Sequence, residues 1–251
     1  MRDVDARMSN SIEMAPSKRF ATLNPVVGCP IGCRFCYARR IAERHAMTED
    51  FSVPRFFPHR LRALSKRKGT VFFLDSMSDV AFWEREWLDE VMSVVRDNPQ
   101  HEYMLLTKRP DRLAGTDAMA GMRWLWLGTT VTCDEDAWRL DALREISVNH
   151  RIVSFEPLLG DVGQLGLDGI EWAMIGEETG PEAHLHPVDP GWVEGIVRQA
   201  DAAGIPVSVK EPLALRRGMP ERSEMPEEMA ALVRGDVRPG FPSFEDLLSK
   251  G

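Results

Sequence analysis

The chain has 251 residues, 43% of them hydrophobic, and a formal net charge of −8. This is enough for one large domain with a sizeable core. The acidic balance argues against broad non-specific affinity for nucleic acid. No apolar run reaches the length of a membrane span. The first residues, Met1-Arg2-Asp3-Val4-Asp5-Ala6-Arg7, lack the apolar core of a signal peptide, so a cytoplasmic setting is expected.

Residues 1–18 are polar and aperiodic and read as a flexible arm. Phe20-Ala21-Thr22-Leu23-Asn24 is the first short apolar run and leads into Pro25-Val26-Val27-Gly28-Cys29-Pro30-Ile31-Gly32-Cys33-Arg34-Phe35-Cys36. Gly28, Pro30 and Gly32 keep this stretch out of helix and strand, so a loop is expected. A helix is expected from about Cys36 to His45. The basic residues Arg39, Arg40 and Arg44 lie near this loop; Arg60, Arg62, Lys66, Arg67 and Lys68 form a second group. Such runs are ordinarily solvated helix faces.

Six further apolar runs follow: Thr70–Asp75, Tyr103–Lys108, Trp124–Thr130, Arg151–Glu156, Trp172–Glu177 and Pro206–Lys210. Each is short and ends in polar or turn residues, as buried parallel strands do. Helical patterns alternate with them, from Trp83 to Asn98, from Asp134 to Ile146, and from Pro190 until Gly204 stops the helix. Beyond Leu213 the chain is rich in proline and charge, with short helices expected at Met225–Val233 and Phe244–Leu248. The alternation, without a Gly-rich phosphate fingerprint, predicts an α/β fold: a complete or partial (β/α) TIM-type barrel of parallel strands. The division expected is an arm over 1–18, the barrel over 19–212 and a C-terminal cap or tail over 213–251.

Three of the four cysteines, Cys29, Cys33 and Cys36, are spaced C-x3-C-x2-C. Thiolates are soft ligands that suit zinc or iron–sulfur clusters. A structural zinc site wants four ligands, and His45 or His59 would have to supply the fourth. A 4Fe-4S cluster on three cysteines keeps one iron open. The loop, with Phe35 in the aromatic position before Cys36, resembles the cluster loop of radical S-adenosylmethionine (radical SAM) enzymes. That resemblance implies a partial or complete barrel, a 4Fe-4S cluster on Cys29, Cys33 and Cys36, and S-adenosylmethionine on the open iron. It also implies an external electron donor such as flavodoxin or ferredoxin.

In a barrel of this kind the functional face is the C-terminal end of the strands. Polar residues gather there on every predicted strand. Ser76, Ser78 and Asp79 follow the second, Lys108 the third, and Thr130, Thr132 and Cys133 the fourth. Glu156 ends the fifth, Glu177 the sixth and Lys210 the seventh. Strand alternation puts Val153 and Phe155 on one face and Ser154 and Glu156 on the other, and likewise Val207 and Val209 against Ser208 and Lys210. The apolar face must meet helices, so Ser154, Glu156, Ser208 and Lys210 should point inward. A buried Glu or Lys needs a partner; Glu156 and Lys210 can pair with each other or bind a polar ligand.

Under the resemblance, Ser76, Ser78 and Asp79 are candidates for the cofactor's amine. Lys108 suits its carboxylate, and Thr130, Thr132 and Glu156 its ribose, with Phe35, Glu177 and Lys210 completing the binding set. Many radical SAM enzymes have a Gly-Gly-Glu-like stretch after the second strand, where this chain has Asp75-Ser76-Met77-Ser78. Cys133 is ordinarily an inert core thiol. Beyond a strand end, it could instead donate a hydrogen atom to a substrate radical.

Seven stretches together resemble a narrower, phage-associated radical-SAM-like family of unassigned reaction. They are the cysteine loop, Ser76–Asp79, Leu105–Pro110, Trp126–Thr132, Val153–Gly160, Ile175–Gly180 and Val207–Lys210. The phage association implies a nucleobase, nucleotide or nucleic-acid substrate. The alternatives are a zinc-stabilised barrel that binds a partner, and a cluster-bearing protein that binds without catalysis.

Overall fold

The computed structural model describes residues 19–180, 183–210, 213–214 and 222–236. The predicted arm over 1–18, the strand end at Glu211-Pro212 and the helix at Phe244–Leu248 lie outside them. Strand β1 is Phe20–Thr22, β2 Val26–Val27, β3 Arg55–Phe56, β4 Val71–Phe73 and β5 Glu102–Thr107. Strand β6 is Leu125–Thr130, β7 His150–Phe155, β8 Trp172–Ile175 and β9 Val207–Val209. Seven of them form one sheet in the order β1-β4-β5-β6-β7-β8-β9, and every neighbouring pair is parallel. The order follows the chain without closing, which makes this a partial (β/α) barrel.

Helices lie between the strands: α1 Tyr37–Arg44, α2 Arg85–Asp97, α3 Trp138–Arg144 and α4 Pro190–Ala203. Local chemistry sets their ends. Asp189 caps α4 by accepting from Gly191 N, Pro190 occupies the first turn, and Gly204 ends the helix with φ +69°. The pattern over Asp134–Ile146 divides into a short 3-10 turn, Asp134–Asp136, followed by α3.

The sheet has two apolar faces, as the alternation along each strand requires. Phe72, Tyr103, Leu105, Leu127, Val153, Phe155, Ile175 and Val207 belong to the core that includes Leu88, Val91, Leu140, Val193 and Ile196 of the helices. Val153, Phe155, Val207 and Val209 thus face the helical layer. On the inner face, Val71, Phe73, Met104, Trp126, Ile152, Trp172 and Met174 form a second core. Its remaining members, Met229 and Leu232, come from helix α5, Glu227–Arg234. Just before α5, the chain runs antiparallel to β9: Val209 N donates to Arg222 O at 2.8 Å and Glu224 N to Val207 O at 3.2 Å. Trp172 Nε1 donates to Glu224 O at 2.9 Å.

His101 sits fully buried at the N-terminal side of β5. Its Nδ1 accepts from Thr70 N at 3.1 Å and its Nε2 lies 2.9 Å from Leu64 O. The ring meets Phe72 and Tyr103 edge-on. This geometry needs the neutral Nε2–H tautomer, and burial pushes the group down from 6.5 to about 4. As pH falls below 6.5 the unfolded chain takes up a proton that the folded chain refuses, so stability is lost as pH drops towards 4. The loss from this residue is about 3 kcal/mol. Urea unfolding at pH 7 and pH 4 should show a pH-dependent loss smaller by about that amount in His101→Gln than in the parent. Equal slopes would remove His101 as the source.

Among the described residues, no helix is long and apolar enough to cross a membrane.

Candidate active site

The pocket opens where the parallel strands end. Its first wall is built by the segment after β1. Asn24 is buried, and its Oδ1 accepts from Ser76 Oγ at 3.0 Å and Met77 N at 2.9 Å. This ties the end of β1 to the end of β4. Beyond it, β2 pairs with β3 in a short antiparallel ladder. Gly28 N donates to Met77 O, and Cys29 N to Phe51 O at 2.7 Å. Gly28 has φ +114°, and a Cβ there would stand 2.7 Å from Val53 O. The loop is therefore pinned on both sides.

Cys36 caps α1: its Sγ accepts from Arg39 N at 3.3 Å. Cys29, Cys33 and Cys36 are half-buried, unpaired by disulfide, and all line the pocket. Burial pushes the Cys29 thiol up to about 12, helped by Asp79 and the other two cysteines. Burial also raises Cys33, opposed by Lys108. Among the described residues, no three His, Cys, Asp or Glu side chains come together as ligands of a single metal ion.

Tyr37 is the first residue of α1, and its hydroxyl donates to Ser76 O at 2.9 Å. Asp75 is fully buried at the end of β4 and accepts from Leu106 N and Val80 N. Burial, reinforced by Asp79, raises its carboxyl well above the usual range. Asp79 accepts from Thr107 Oγ1 at 2.6 Å, Lys108 N at 2.9 Å and Ala81 N at 3.0 Å. Ser78 Oγ accepts from Trp83 Nε1 at 2.9 Å. These side chains border the cavity, but their main bonds brace the β4 and β5 ends. Lys108 reaches over the Phe35 ring, 5.9 Å from its centroid.

The opposite wall comes from the later strands. Lys210 Nζ lies 2.6 Å from Glu156 Oε1 and 2.5 Å from Oε2. Gly176 makes room for this pair, since a Cβ there would meet the Glu156 carboxyl carbon at 2.8 Å. Thr130, Ser154, Glu177, Glu178 and Thr179 continue the wall. Arg40 of α1 donates to Thr179 O at 2.8 Å, and Arg34 Nη1 lies 2.7 Å from His186 Nε2. Both arginines thus link the cysteine-loop side to the segment after β8. Phe73, Met104, Leu106 and Met174 give the cavity an apolar floor.

Phe35, Ser76, Ser78, Asp79, Lys108, Thr130, Glu156, Glu177 and Lys210 are therefore brought together with the three loop cysteines. Thr132 and Cys133 are not. After β6 the chain turns away, held by Leu159 N and Gly160 N donating to Thr132 O. Thr132 Oγ1 donates to Asp136 at 2.7 Å, and Cys133 Sγ lies 3.7 Å from Glu135. The sequence puts Glu178 and Thr179 at the end of the sixth strand but gives them no role, and it does not single out Tyr37 or the methionine floor as part of the site. Tyr37 was within reach as the residue following Cys36 at a helix start. Glu178 lies beyond the strand, where alternation no longer says which way a side chain points.

A parallel partial barrel with three cysteines on one wall of a pocket at its strand ends defines the class as a (β/α) barrel protein with a cysteine loop at its strand ends. The chain belongs to the family described as "Protein of unknown function (DUF5131)", whose model matches residues 12–215. No curated protein matches it. It is similar to a solved spore photoproduct lyase variant with bound AdoMet and dinucleoside spore photoproduct, at 11% identity and a TM-score of 0.47, over 71% of this chain and 60% of that one. It is also similar to spore photoproduct lyase complexed with dinucleoside spore photoproduct, at 11% identity and a TM-score of 0.29, over 87% of this chain and 62% of that one. The chain thus spans about three fifths of the length of each.

Proposed function

We propose that the protein is a radical SAM enzyme whose 4Fe-4S cluster is held by Cys29, Cys33 and Cys36. The observation that carries this is the placement of a C-x3-C-x2-C set on one wall of a polar pocket at the strand ends. The donor set fits the group. Thiolates are soft ligands that hold iron–sulfur clusters, and all three cysteines border the cavity. They would supply three of the cluster's ligands, which would leave one iron to a ligand from the pocket. When bound, the cluster would pass one electron to the sulfonium of S-adenosylmethionine, breaking its S–C5′ bond to leave methionine and a 5′-deoxyadenosyl radical.

The chain's own residues then bind and orient. Lys108, close to Cys33, offers a cation to the cofactor's carboxylate. Ser76, Ser78 and Asp79 border the region proposed for its amine, and Thr130, Glu156, Glu177 and Lys210 the region proposed for its ribose. Met104 and Met174 give the reacting centre an apolar floor. Thr132 and Cys133, turned away from the cavity, have no part in this reading. The net charge of −8 favours a small substrate or a local basic groove over a broad nucleic-acid surface. The reading requires a one-electron donor, such as flavodoxin or ferredoxin.

Electron paramagnetic resonance on anaerobically purified, reduced protein tests this. A cluster signal that changes shape on adding S-adenosylmethionine is the expected result. A cluster signal indifferent to the cofactor would indicate a cluster-bearing binding protein. Stoichiometric zinc with no cluster after reconstitution would indicate a zinc-stabilised barrel. Either of these overturns the proposal.

A further inference from the structure

The net charge hides a local contrast. From Cys29 to Leu74 the chain holds ten Lys or Arg against three Asp or Glu, while the rest holds 21 against 36. Within this stretch, Phe51 to Leu74 carries Arg55, Arg60, Arg62, Lys66, Arg67 and Lys68 and no acidic residue. A solvated charged face ordinarily alternates in sign and laces itself with ion pairs. Here Arg55 pairs with the exposed Glu49 at 3.0 Å. Arg62, Lys66, Arg67 and Lys68 are exposed and stand in no ion pair among the described residues.

Local structure holds these cations outward. Pro58–Lys66 is a 3-10 helix, and its period of three puts Leu61 and Leu64 on the buried line while Arg62, Ser65 and Lys66 stay outside. Leu61 and Leu64 join the core of the helical layer, so the cations lie on the outer side of the barrel. At about 2 Å per residue the helix runs about 18 Å. One end is tied to the pocket side: Phe57 N donates to Pro25 O at 2.7 Å and Arg60 Nη1 to Asn24 O at 2.8 Å, just before the cysteine loop. From the other end, Arg67 and Lys68 lead into the start of β4. The exposed Arg34 of the cysteine loop and Arg44 in the last turn of α1 add cations on the pocket side.

A one-signed strip complements a polyanion, and the residues around it decide which. A membrane surface needs apolar side chains exposed beside the cations, but Leu61 and Leu64 are buried. Among the described residues, Val53 is the one large hydrophobic side chain exposed between Phe51 and Leu74. An acidic protein needs an apolar, aromatic centre to its interface, which the strip lacks. Four of its six cations are arginines, whose planar forks match phosphate oxygens. A base enters a pocket only from an unpaired strand or after leaving its stack. We propose that the exposed face over Arg55–Lys68 binds the phosphate backbone of a single-stranded nucleic acid and leads it towards the pocket. This deepens the functional reading above by naming a partner, and rests on that reading only for where the strand leads.

Fluorescence anisotropy with labelled single-stranded DNA and RNA oligonucleotides tests this, on the full chain both as purified and after anaerobic reconstitution. The strip variant combines Arg62→Ala, Lys66→Ala and Lys68→Ala. A control combining Arg85→Ala, Arg123→Ala and Arg198→Ala removes the same charge from exposed positions elsewhere. The parent should bind at least one of the two strands, with log affinity falling linearly in log salt. The strip variant should bind at least about tenfold more weakly at fixed salt, with a slope shallower by about 2, while the control keeps the parent's slope. Bound strand should also shield Lys66 and Lys68 of the parent from acetylation. No binding of either strand, an equal loss in the control, or unchanged acetylation overturns the proposal, the last even where the strip variant does not fold. So does displacement by polyglutamate or by anionic lipid vesicles as readily as by unlabelled strand, or tighter binding of duplex. Binding by the metal-free chain does not need the cluster, so failure of the strip and failure of the cluster reading are told apart.

Discussion

Replacing any one of Cys29, Cys33 or Cys36 by alanine is expected to abolish formation of 5′-deoxyadenosine under reduction, a loss of more than about 100-fold. The reason is stoichiometric. Three cysteines stand on one wall of the cavity, and a cluster held by three would have no spare ligand. Among the described residues, no further set of His, Cys, Asp or Glu stands ready to replace them. The fold should tolerate the change. Each cysteine is half-buried, and the loop is fixed independently by Gly28 N to Met77 O and by the β2–β3 ladder. Cys36→Ala also loses the cap to Arg39 N, which costs α1 about 1 kcal/mol. Cys133→Ala, which is not among the residues lining the cavity, is the internal control and should cleave as the parent does. Visible absorbance after reconstitution and chromatographic detection of 5′-deoxyadenosine check both halves. Cleavage retained in all three loop variants would sink the cluster assignment.

Trp126→Ala should produce the largest loss of stability, on the order of 5 kcal/mol. Trp126 lies in the middle of the inner core and is wholly buried. Its ring stacks on His150 at 4.1 Å, and its Nε1 donates to the buried Glu102 carboxylate at 2.6 Å. Truncation therefore opens a large cavity and takes a donor from a buried carboxyl group in one step. Trp126→Phe keeps most of the volume but still removes the donor, and should fall between parent and alanine variant. Chemical denaturation followed by circular dichroism measures the order. A Phe variant as damaging as alanine would mean that the hydrogen bond, not packing, dominates.

All seven strands of the large sheet are legible in the sequence, because a strand buried on both faces reads as a short apolar run. Val71-Phe72-Phe73 and Val207-Ser208-Val209 are of this kind. Their order in space is legible too, since repeated strand–helix units wind parallel strands in sequence. The β2–β3 ladder is not. It joins two-residue strands, Val26–Val27 and Arg55–Phe56, with no hairpin turn between them. The inward aim of Ser154 and Glu156 follows from strand period, and so does that of Lys210. Alternation fails once a strand ends. Thr132 and Cys133 lie beyond Thr130, where carbonyl bonds to the loop after β7 turn the chain aside. The helix at Glu227–Arg234 was foreseen one or two residues early, over Met225–Val233, but nothing in its pattern names the surface it covers. Its seat against Trp172 and Met174 depends on the chain doubling back along β9, a long-range event with no local signature.

That doubling back has a consequence for solubility. An incomplete barrel presents two rows of unsatisfied peptide groups, and such rows recruit other chains. Residues 222–224 occupy the β9 row, and Met229 and Leu232 cover the apolar bowl beside it. The stretch matched by the family ends at 215, before either of these. A chain cut there would present Trp172, Met174 and the bare β9 row to its neighbours, and self-association would compete with folding.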